Sequence, residues 1–153
     1  MQDFNSALYS PLVSTMETIF IVAFIFSCIL VLYLYKNKSN YLITALPLFV
    51  LASHQLEEYV LSPLMFGDKY HFLEWAFRSG VNISPIEVTT INSVPYFLLP
   101  LLFLLKPSTK IFSILFLFNS SLLLSNGMFH IGLATAQTDY SPGMVTSLFM
   151  YIP

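Results

Sequence analysis

The sequence predicts an all-α fold, a polytopic transmembrane helical bundle of about five spans with the last one truncated. Hydrophobic residues make up 56% of the 153 residues and charged residues only 9%, whereas soluble domains carry about 25% charged residues. Apolar runs near the length of about 20 residues that a bilayer-spanning helix needs recur along the chain. A chain this poor in charge has too little polar surface to cover a soluble globule, so we expect a single transmembrane domain over residues 1–153.

Five apolar segments are the candidate spans, and more polar stretches separate them. They cover about residues 15–35, 41–61, 91–105, 111–133 and 142–153. The first is interpreted as a true span, because no Lys or Arg precedes it as in a signal peptide. The second is expected to end at Ser62, where Pro63 breaks the helix. The last would be only about 18 Å long at 1.5 Å per residue, which predicts a C-terminally truncated span.

The stretch between the second and third spans, residues 62–90, is interpreted as an outer connection that lies at the membrane interface. Trp75 is expected to anchor it there, since tryptophan is enriched at the boundary between lipid and water. His71, Glu74 and Arg78 follow one another at helical spacing, and they predict a solvated amphipathic turn.

The lysines predict the orientation of the bundle. Lys36 and Lys38 follow the first span, and Lys106 and Lys110 lie between the third and fourth spans, with no acidic residue in either loop. Because Lys and Arg concentrate in cytoplasmic loops, both loops are predicted to be cytoplasmic and the N-terminus outside. The predicted location is the bacterial inner (plasma) membrane.

Polar residues that are costly in lipid mark two of the spans. His54, Glu57 and Glu58 share one face of the second span. Asn126 and His130 share one face of the fourth span. Counted from the lysine loops, His54 and Asn126 lie roughly 20 and 22 Å along their helices. Intramembrane ionisable groups normally pair or serve function, so the two faces are predicted to converge on one centre near the outer face of the membrane.

Three polar motifs follow one another along the chain. They are His54-x-x-Glu57-Glu58, Asn126-x-x-x-His130 and Tyr140-x-Pro142-Gly143. In this order they resemble the HXXEE domain family of small integral membrane proteins, whose biochemical activity is not established. The resemblance implies that the first two motifs hold the family's signature positions. The last span of that family is normally complete, so the resemblance also implies that this chain is a truncated form or a fragment.

Two imidazoles and two carboxylates are a usual nitrogen and oxygen shell for Zn, Fe or Mn. The predicted ligands of a divalent metal are His54, Glu57, Glu58 and His130, and the predicted catalytic residues are Glu57, Glu58 and Asn126. Glu58 is expected to share the ligand or proton of His54, with Glu57 as an outer ligand or acceptor. A site of this kind leaves a position for substrate, which favours metal-assisted hydrolysis or oxidation of a hydrophobic or lipid-like small molecule.

Other interpretations stay open. A carboxylate and an imidazole in an apolar pocket are typical of a metal-free acid/base isomerase, and they also fit a ligand-binding or proton-coupled membrane protein without catalytic activity. The sequence therefore leaves open whether the protein is an enzyme, and whether it forms a homo-oligomer. The expected partners are the lipid bilayer and a hydrophobic small-molecule ligand. Nucleic acid is not expected, since the net charge of -2 gives no basic surface for it.

Overall fold

The fold is all-α over residues 11–151, which are the residues that the computed structural model describes. The helices in chain order are α1 (Pro11–Lys36), α2 (Leu42–Leu56), a first π-helical segment (Glu57–Leu61), α3 (Ser62–Phe66), a 3-10 turn (Asp68–Tyr70), α4 (Phe72–Arg78), α5 (Pro85–Phe103), α6 (Lys110–Gln137), α7 (Met144–Thr146) and a second π-helical segment (Ser147–Tyr151). The predicted outside position of the N-terminus and the last two residues of the predicted fifth span lie outside the described residues.

Three helices of the described chain, α1, α5 and α6, are long and apolar enough to cross a membrane. At 1.5 Å per residue they measure roughly 39, 29 and 42 Å, which matches a hydrocarbon core of about 30 Å. The chain is thus built as an integral membrane protein. The crossings predicted for the second and fifth apolar segments stay predictions.

The helix of the second apolar segment continues past Ser62. Its backbone stays helical through the first π-helical segment and α3, and it ends at Gly67 with a φ of +91°. The expected break at Pro63 was therefore wrong. Pro63 lies in the first turn of α3, where the Ser62 N–H bonds the Glu57 carbonyl in a π turn, and at such a start the missing N–H of proline costs little.

Helix α5 begins at Pro85, well before the predicted start near Ile91. The Ser84 hydroxyl accepts from the Glu87 N–H at 3.2 Å, and the Glu87 carboxylate accepts from the Ser84 N–H at 2.7 Å. This capping box, with proline at the first helical position, starts a helix at that residue. The sequence contains this capping signature, but it lies within residues 62–90, which are predicted above as the outer connection.

Both lysine loops lie at the same end of the bundle. The Tyr41 hydroxyl, in the loop after α1, donates to the Leu105 carbonyl in the loop before α6 at 3.0 Å. The Tyr41 ring also packs on Phe103 with 5.5 Å between ring centroids. We call the end formed by residues 36–42 and 104–110 the inner end, and the end formed by residues 57–84 and 138–146 the outer end. The cytoplasmic side of the inner end stays a prediction.

The outer connection packs into the bundle instead of lying on its surface. Trp75 is 3% exposed and belongs to an apolar cluster with Phe20, Tyr59 and Phe72. His71 is 4% exposed. The expected interface anchor at Trp75 and the expected solvated turn at His71 were therefore wrong. Helix α4 turns its apolar face onto α1 and the first π-helical segment, and the histidine before it is buried with that face.

Candidate metal centre

The site lies where α2 passes into the first π-helical segment. His54 stands in the last turn of α2, and Glu57 and Glu58 open the π-helical segment. A π turn holds one more residue than an α turn, so it changes the direction in which the following side chains point. Such insertions occur frequently at functional sites. Here the wider turn carries the two adjacent glutamates.

Three buried side chains meet at this point. His54 and His130 are 0% exposed and Glu58 is 3% exposed. Glu58 Oε1 lies 2.9 Å from His130 Nε2 and 3.4 Å from His54 Nε2. The ligand atoms of the three residues all lie within 4.8 Å of one another. The predicted convergence of the second and fourth apolar segments on one centre is confirmed.

Hydrogen bonds around His54 place its proton on Nδ1. Thr146 Oγ1 donates to Glu57 Oε2 at 2.6 Å, so only its lone pairs are left for the histidine. His54 Nδ1 lies 2.8 Å from Thr146 Oγ1 and therefore supplies the proton of that hydrogen bond. The second ring nitrogen, Nε2, then carries a lone pair, which accepts from Asn126 Nδ2 at 2.9 Å. A neutral imidazole with one donor and one acceptor nitrogen meets all these partners.

His130 stands beside a second hydroxyl. Its Nδ1 lies 3.2 Å from Ser141 Oγ, which also lies 3.4 Å from the Pro142 carbonyl oxygen. Its Nε2 lies 2.9 Å from Glu58 Oε1, the ion-pair partner that it shares with His54.

Three possible ligand atoms therefore come together in one buried space: Nε2 of His54, Nε2 of His130 and Oε1 of Glu58. Within residues 11–151, the ion-pair partners of Glu58 are these two histidines. Buried acceptors that face one another need a positive charge between them, either a metal ion or an added proton. Two ligands of a tetrahedral Zn²⁺, each about 2.1 Å from the ion, lie about 3.4 Å apart. The residues present could hold such an ion, since Glu58 Oε1 lies 2.9 and 3.4 Å from the two ring nitrogens.

Glu57 turns away from this cluster and holds the C-terminal helix. Its carboxylate accepts from the Val145 N–H at 3.0 Å, the Thr146 N–H at 2.7 Å, the Thr146 hydroxyl at 2.6 Å and the Tyr140 hydroxyl at 2.7 Å. Burial raises the pKa of Tyr140 above its ordinary value, so its hydroxyl keeps the proton that it donates. Both Glu57 oxygens accept from these four donors, which leaves Glu57 outside the group formed by His54, Glu58 and His130.

Gly143 lets the chain pass close to the histidine. Its φ is +86°, and a Cβ on this residue would lie 2.5 Å from His54 Cε1 and 3.0 Å from Glu58 Cγ. Only glycine fits both this left-handed backbone and this close approach. The turn at Gly143 thereby brings α7 onto the Glu57 carboxylate, and the predicted packing of the last helix on the second and fourth segments is confirmed as far as residue 151.

All of the residues predicted for the site lie at or beside it, in different roles. The group that could hold a metal is His54, Glu58 and His130, while Asn126 bonds His54 and Glu57 bonds Thr146, which in turn bonds His54. Sequence reasoning missed the hydroxyls of Thr146 and Ser141, because small polar residues in apolar segments ordinarily just permit close helix packing. The motif Tyr140-x-Pro142-Gly143 was the available signal, since it immediately precedes Thr146.

Comparisons with known proteins agree with this geometry. A family model described as "Protein of unknown function with HXXEE motif" matches residues 44–153, which is more than half of the chain and includes every residue of the centre. No curated protein matches the chain, and no solved structure matches it. The family description names no function, so the buried group of His54, Glu58 and His130 carries the functional argument. The chain belongs to the HXXEE family.

Proposed function

We propose that this protein is a metal-dependent membrane enzyme that acts on a hydrophobic or lipid-like small molecule. A divalent ion held by His54, Glu58 and His130 is the centre of the proposal. One observation carries it: His54, Glu58 and His130 are buried and bring their ligand atoms within 4.8 Å of one another, and a buried carboxylate needs a positive charge beside it. A divalent ion balances that charge and accepts both imidazoles.

The donor set indicates the class of metal and of chemistry. Two nitrogens and one oxygen without sulfur suit Zn, Fe or Mn. Three protein ligands leave a coordination position for water or substrate, where a bound ion would act as a Lewis acid in hydrolysis or oxidation. Because the centre is buried among apolar helices, its substrate must be able to enter from the membrane.

Neighbouring residues take supporting roles in the proposal. Glu57 and Thr146 keep the His54 proton on Nδ1 and so aim Nε2 at the ion, as carboxylates behind metal-bound histidines do. Asn126 competes with the ion for the Nε2 lone pair. When the ion holds Nε2, the Asn126 amide is released, and it can then hydrogen-bond a substrate at the open position.

An added proton is the competing explanation of the same geometry. A proton shared by Glu58 and His130, whose atoms are 2.9 Å apart, would balance the charges without a metal. It would support acid/base chemistry or proton-coupled ligand binding instead. The two explanations predict different metal contents for the purified protein.

Elemental analysis distinguishes them. The full chain is purified in detergent without chelators, on an affinity tag that contains no histidine. We expect about one equivalent of Zn, Fe or Mn, and we expect the double variant His54→Ala/His130→Ala to lose it. His71→Ala is the matched control, because it removes the third histidine of the chain, which is buried outside the cluster. Wild-type protein that holds no metal, even after dialysis against each of the three ions, would establish the shared proton instead.

Catalysis is tested on the same preparations. Wild-type protein and the double variant are incubated with extracted membrane lipids, and the products are compared by mass spectrometry. We expect a lipid that only the metal-loaded wild-type protein converts. A lipid that binds to both proteins and is converted by neither would favour the non-catalytic, ligand-binding alternative.

A further inference from the structure

A cavity of about 320 Å³ lies between α2, α5 and α6, beside the metal centre. Leu51 and Leu123 form its buried floor, while Ile91, Val94 and Leu122 stand at its mouth and are 37–62% exposed. Helices α5 and α6 are both long and apolar enough to span the membrane. The exposed apolar side chains between them therefore face lipid chains, and the mouth of the cavity opens toward the bilayer.

This cavity ends at Asn126, which is a hydrogen-bond partner of His54. Asn126 forms part of its wall, and Asn126 Nδ2 lies 2.9 Å from His54 Nε2. A second cavity, of about 420 Å³, touches Glu57 and Thr146. Thr146 separates this second cavity from His54, because its hydroxyl already fills the hydrogen bond to Nδ1. A further cavity, of about 640 Å³ between α1, α2 and α5, is lined neither by a cluster residue nor by Asn126.

Two amides give the cavity a polar end. Asn126 is one of them, and Asn92 on α5 is the other. Asn92 is half-buried and has no hydrogen-bond partner among the described residues. An amide inside a membrane span is costly when it has no partner. Asn92 is thus free to bind the polar group of a ligand that enters from the lipid.

The cavity contains no group that suits an anionic headgroup. The side chains that line it are uncharged. The six basic residues of the chain stand at the inner end or in the outer connection: Lys36, Lys38, Lys69, Arg78, Lys106 and Lys110. Phosphates and carboxylates are normally bound by Arg or Lys, and here the nearest charged group of the centre is the Glu58 carboxylate. A neutral head that donates and accepts hydrogen bonds matches the two amides.

We propose, on the basis of the metal-dependent function above, that this cavity is the lipid-side entrance of the substrate. The substrate is a single-chain amphiphile with an uncharged hydroxyl, ester or amide head. Its apolar chain lies between α5 and α6, and its head lies against Asn92 and Asn126, next to the ligand atoms of the centre. The small volume of the cavity selects one apolar chain over a two-chain lipid.

Photolabelling tests the entrance. The full chain is reconstituted in lipid nanodiscs and labelled with a long-chain alcohol that carries a diazirine and an alkyne, and the labelled peptides are mapped by mass spectrometry. We expect label on α5 and α6 near Val94 and Leu122. Unlabelled long-chain alcohol should compete, whereas an alkyl phosphate of the same length should not. Asn92→Leu keeps the size of the side chain and should weaken competition by the alcohol.

Two valine variants sharpen the result. Val94→Trp fills the mouth of the cavity, and we expect it to lower labelling about tenfold, which corresponds to about 1.4 kcal/mol of binding free energy. Val22→Trp is the matched control, because Val22 is also exposed but lines the 640 Å³ cavity between α1, α2 and α5. Labelling that is unchanged in Val94→Trp, or abolished in Val22→Trp, would overturn the proposed entrance. Equal competition by the alkyl phosphate and the alcohol would overturn the uncharged head.

Failure of this proposal is distinguishable from failure of the metal proposal. Labelling requires neither a metal nor turnover, and the metal content is measured on the same samples. Full metal content without labelling on α5 and α6 would refute the entrance alone. Labelling that Val94→Trp removes, in protein without metal, would refute the metal alone.

Discussion

The inner and outer ends of the bundle are built in opposite ways. In the half of the bundle nearer the inner end, Leu48, Leu99, Leu102 and Phe112 form a buried apolar cluster. In the half nearer the outer end the buried residues include a large polar set: His54, Gln55, Glu57, Glu58, Ser62, His71, His130, Ser141 and Ser147. The two ends thus differ in what fills the space between the helices.

We infer from this difference that the inner end mainly stabilises the fold and that the outer end carries the function. Several buried polar atoms at the outer end have no hydrogen-bond partner among the described residues, among them the Tyr59 hydroxyl, both ring nitrogens of His71 and His130 Nε2. Each such atom costs about 1–3 kcal/mol. A chain retains such groups where a ligand, a metal or a proton satisfies them. The apolar cluster toward the inner end contains no such atom, although both amide atoms of the buried Asn119 on α6 also have no partner among the described residues.

The first test of this comparison asks on which side of the membrane each end lies, a question with only two answers. In a Cys28→Ser background, Asn82→Cys in the outer connection and Ser108→Cys in a lysine loop place one thiol at each end. We expect a membrane-impermeant maleimide added to intact cells to label Asn82→Cys only, because lysine-rich loops stay in the cytoplasm. Labelling of Ser108→Cys from outside would invert the orientation.

Leu99→Ala should have the largest effect on stability. Leu99 is 1% exposed in the inner cluster, and removing a buried leucine side chain costs about 2–5 kcal/mol. We expect a lower midpoint of denaturation in detergent with unchanged metal content at low temperature. Loss of the metal in this variant would show that the two ends are not independent.

Gly143→Ala should damage the outer end without touching a ligand. The added Cβ meets His54 Cε1 at 2.5 Å, so the imidazole must move, and we expect metal affinity to fall about 100-fold, as for changes behind metal ligands. Gly132→Ala is the matched control, since its Cβ would meet nothing within 4 Å. Equal metal affinity in the two variants would contradict the close packing of Gly143 on His54.

Glu57→Gln should have a smaller effect on the metal. The amide keeps the shape of the side chain, but its NH₂ group faces a donor, so one of the four donors loses its acceptor and stability falls by about 1–3 kcal/mol. Because Thr146 then holds the His54 proton less firmly, we expect metal affinity to fall about tenfold. Glu74→Gln in α4 serves as the control. A complete loss of metal would mean that Glu57 binds the ion directly.

The sequence predicted the apolar inner part of the fold better than the outer part. The existence and order of α1, α5 and α6 follow from the apolar runs, although α5 begins six residues before its run, and the adjacency of the lysine loops follows from their alternation. The π-helical segment at Glu57 and the continuation past Pro63 depend on contacts with the C-terminal helix and have no local signature. The burial of Trp75 was missed for a related reason, because an aromatic side chain at a membrane boundary has the same pattern whether it faces lipid or protein.

At the site, helical periodicity was sufficient for some residues only. It placed His54 and Glu58 one turn apart and Asn126 one turn before His130, so their convergence could be predicted from two faces of equal depth. It could not separate Glu57 from Glu58 in role, since the direction of Glu57 is decided by the N–H groups of Val145 and Thr146. Those groups come from a segment 88 and 89 residues away in sequence, and no periodicity connects them.

The smallest expected effect is a pH dependence that belongs to the outer end, and it rests on His71. Burial lowers the pKa of His71 to about 4, against the opposing effect of the Glu58 and Asp68 carboxylates. Glu17 Oε1 lies 3.3 Å from His71 Nε2, but no hydrogen bond joins them, and the Glu17 side chain is about one-third exposed, which weakens its field. Burial therefore has the larger effect on the pKa of His71, and His71 is neutral in the folded protein.

The sign of the effect follows from the two pKa values of His71. Because the folded value lies below the ordinary 6.5, the contribution to stability is complete above about pH 6.5 and is lost as the pH falls toward 4, by at most about 1.4 kcal/mol per pH unit. We expect the melting temperature in detergent to fall between pH 7 and pH 5. His71→Phe, whose ring can still pack on Tyr59, should flatten this dependence, whereas Leu99→Ala at the inner end should lower the whole curve and keep its slope. A melting temperature that rises on acidification, and stops rising in His71→Phe, would show instead that Glu17 charges the histidine and that this part of the outer end is an ion pair.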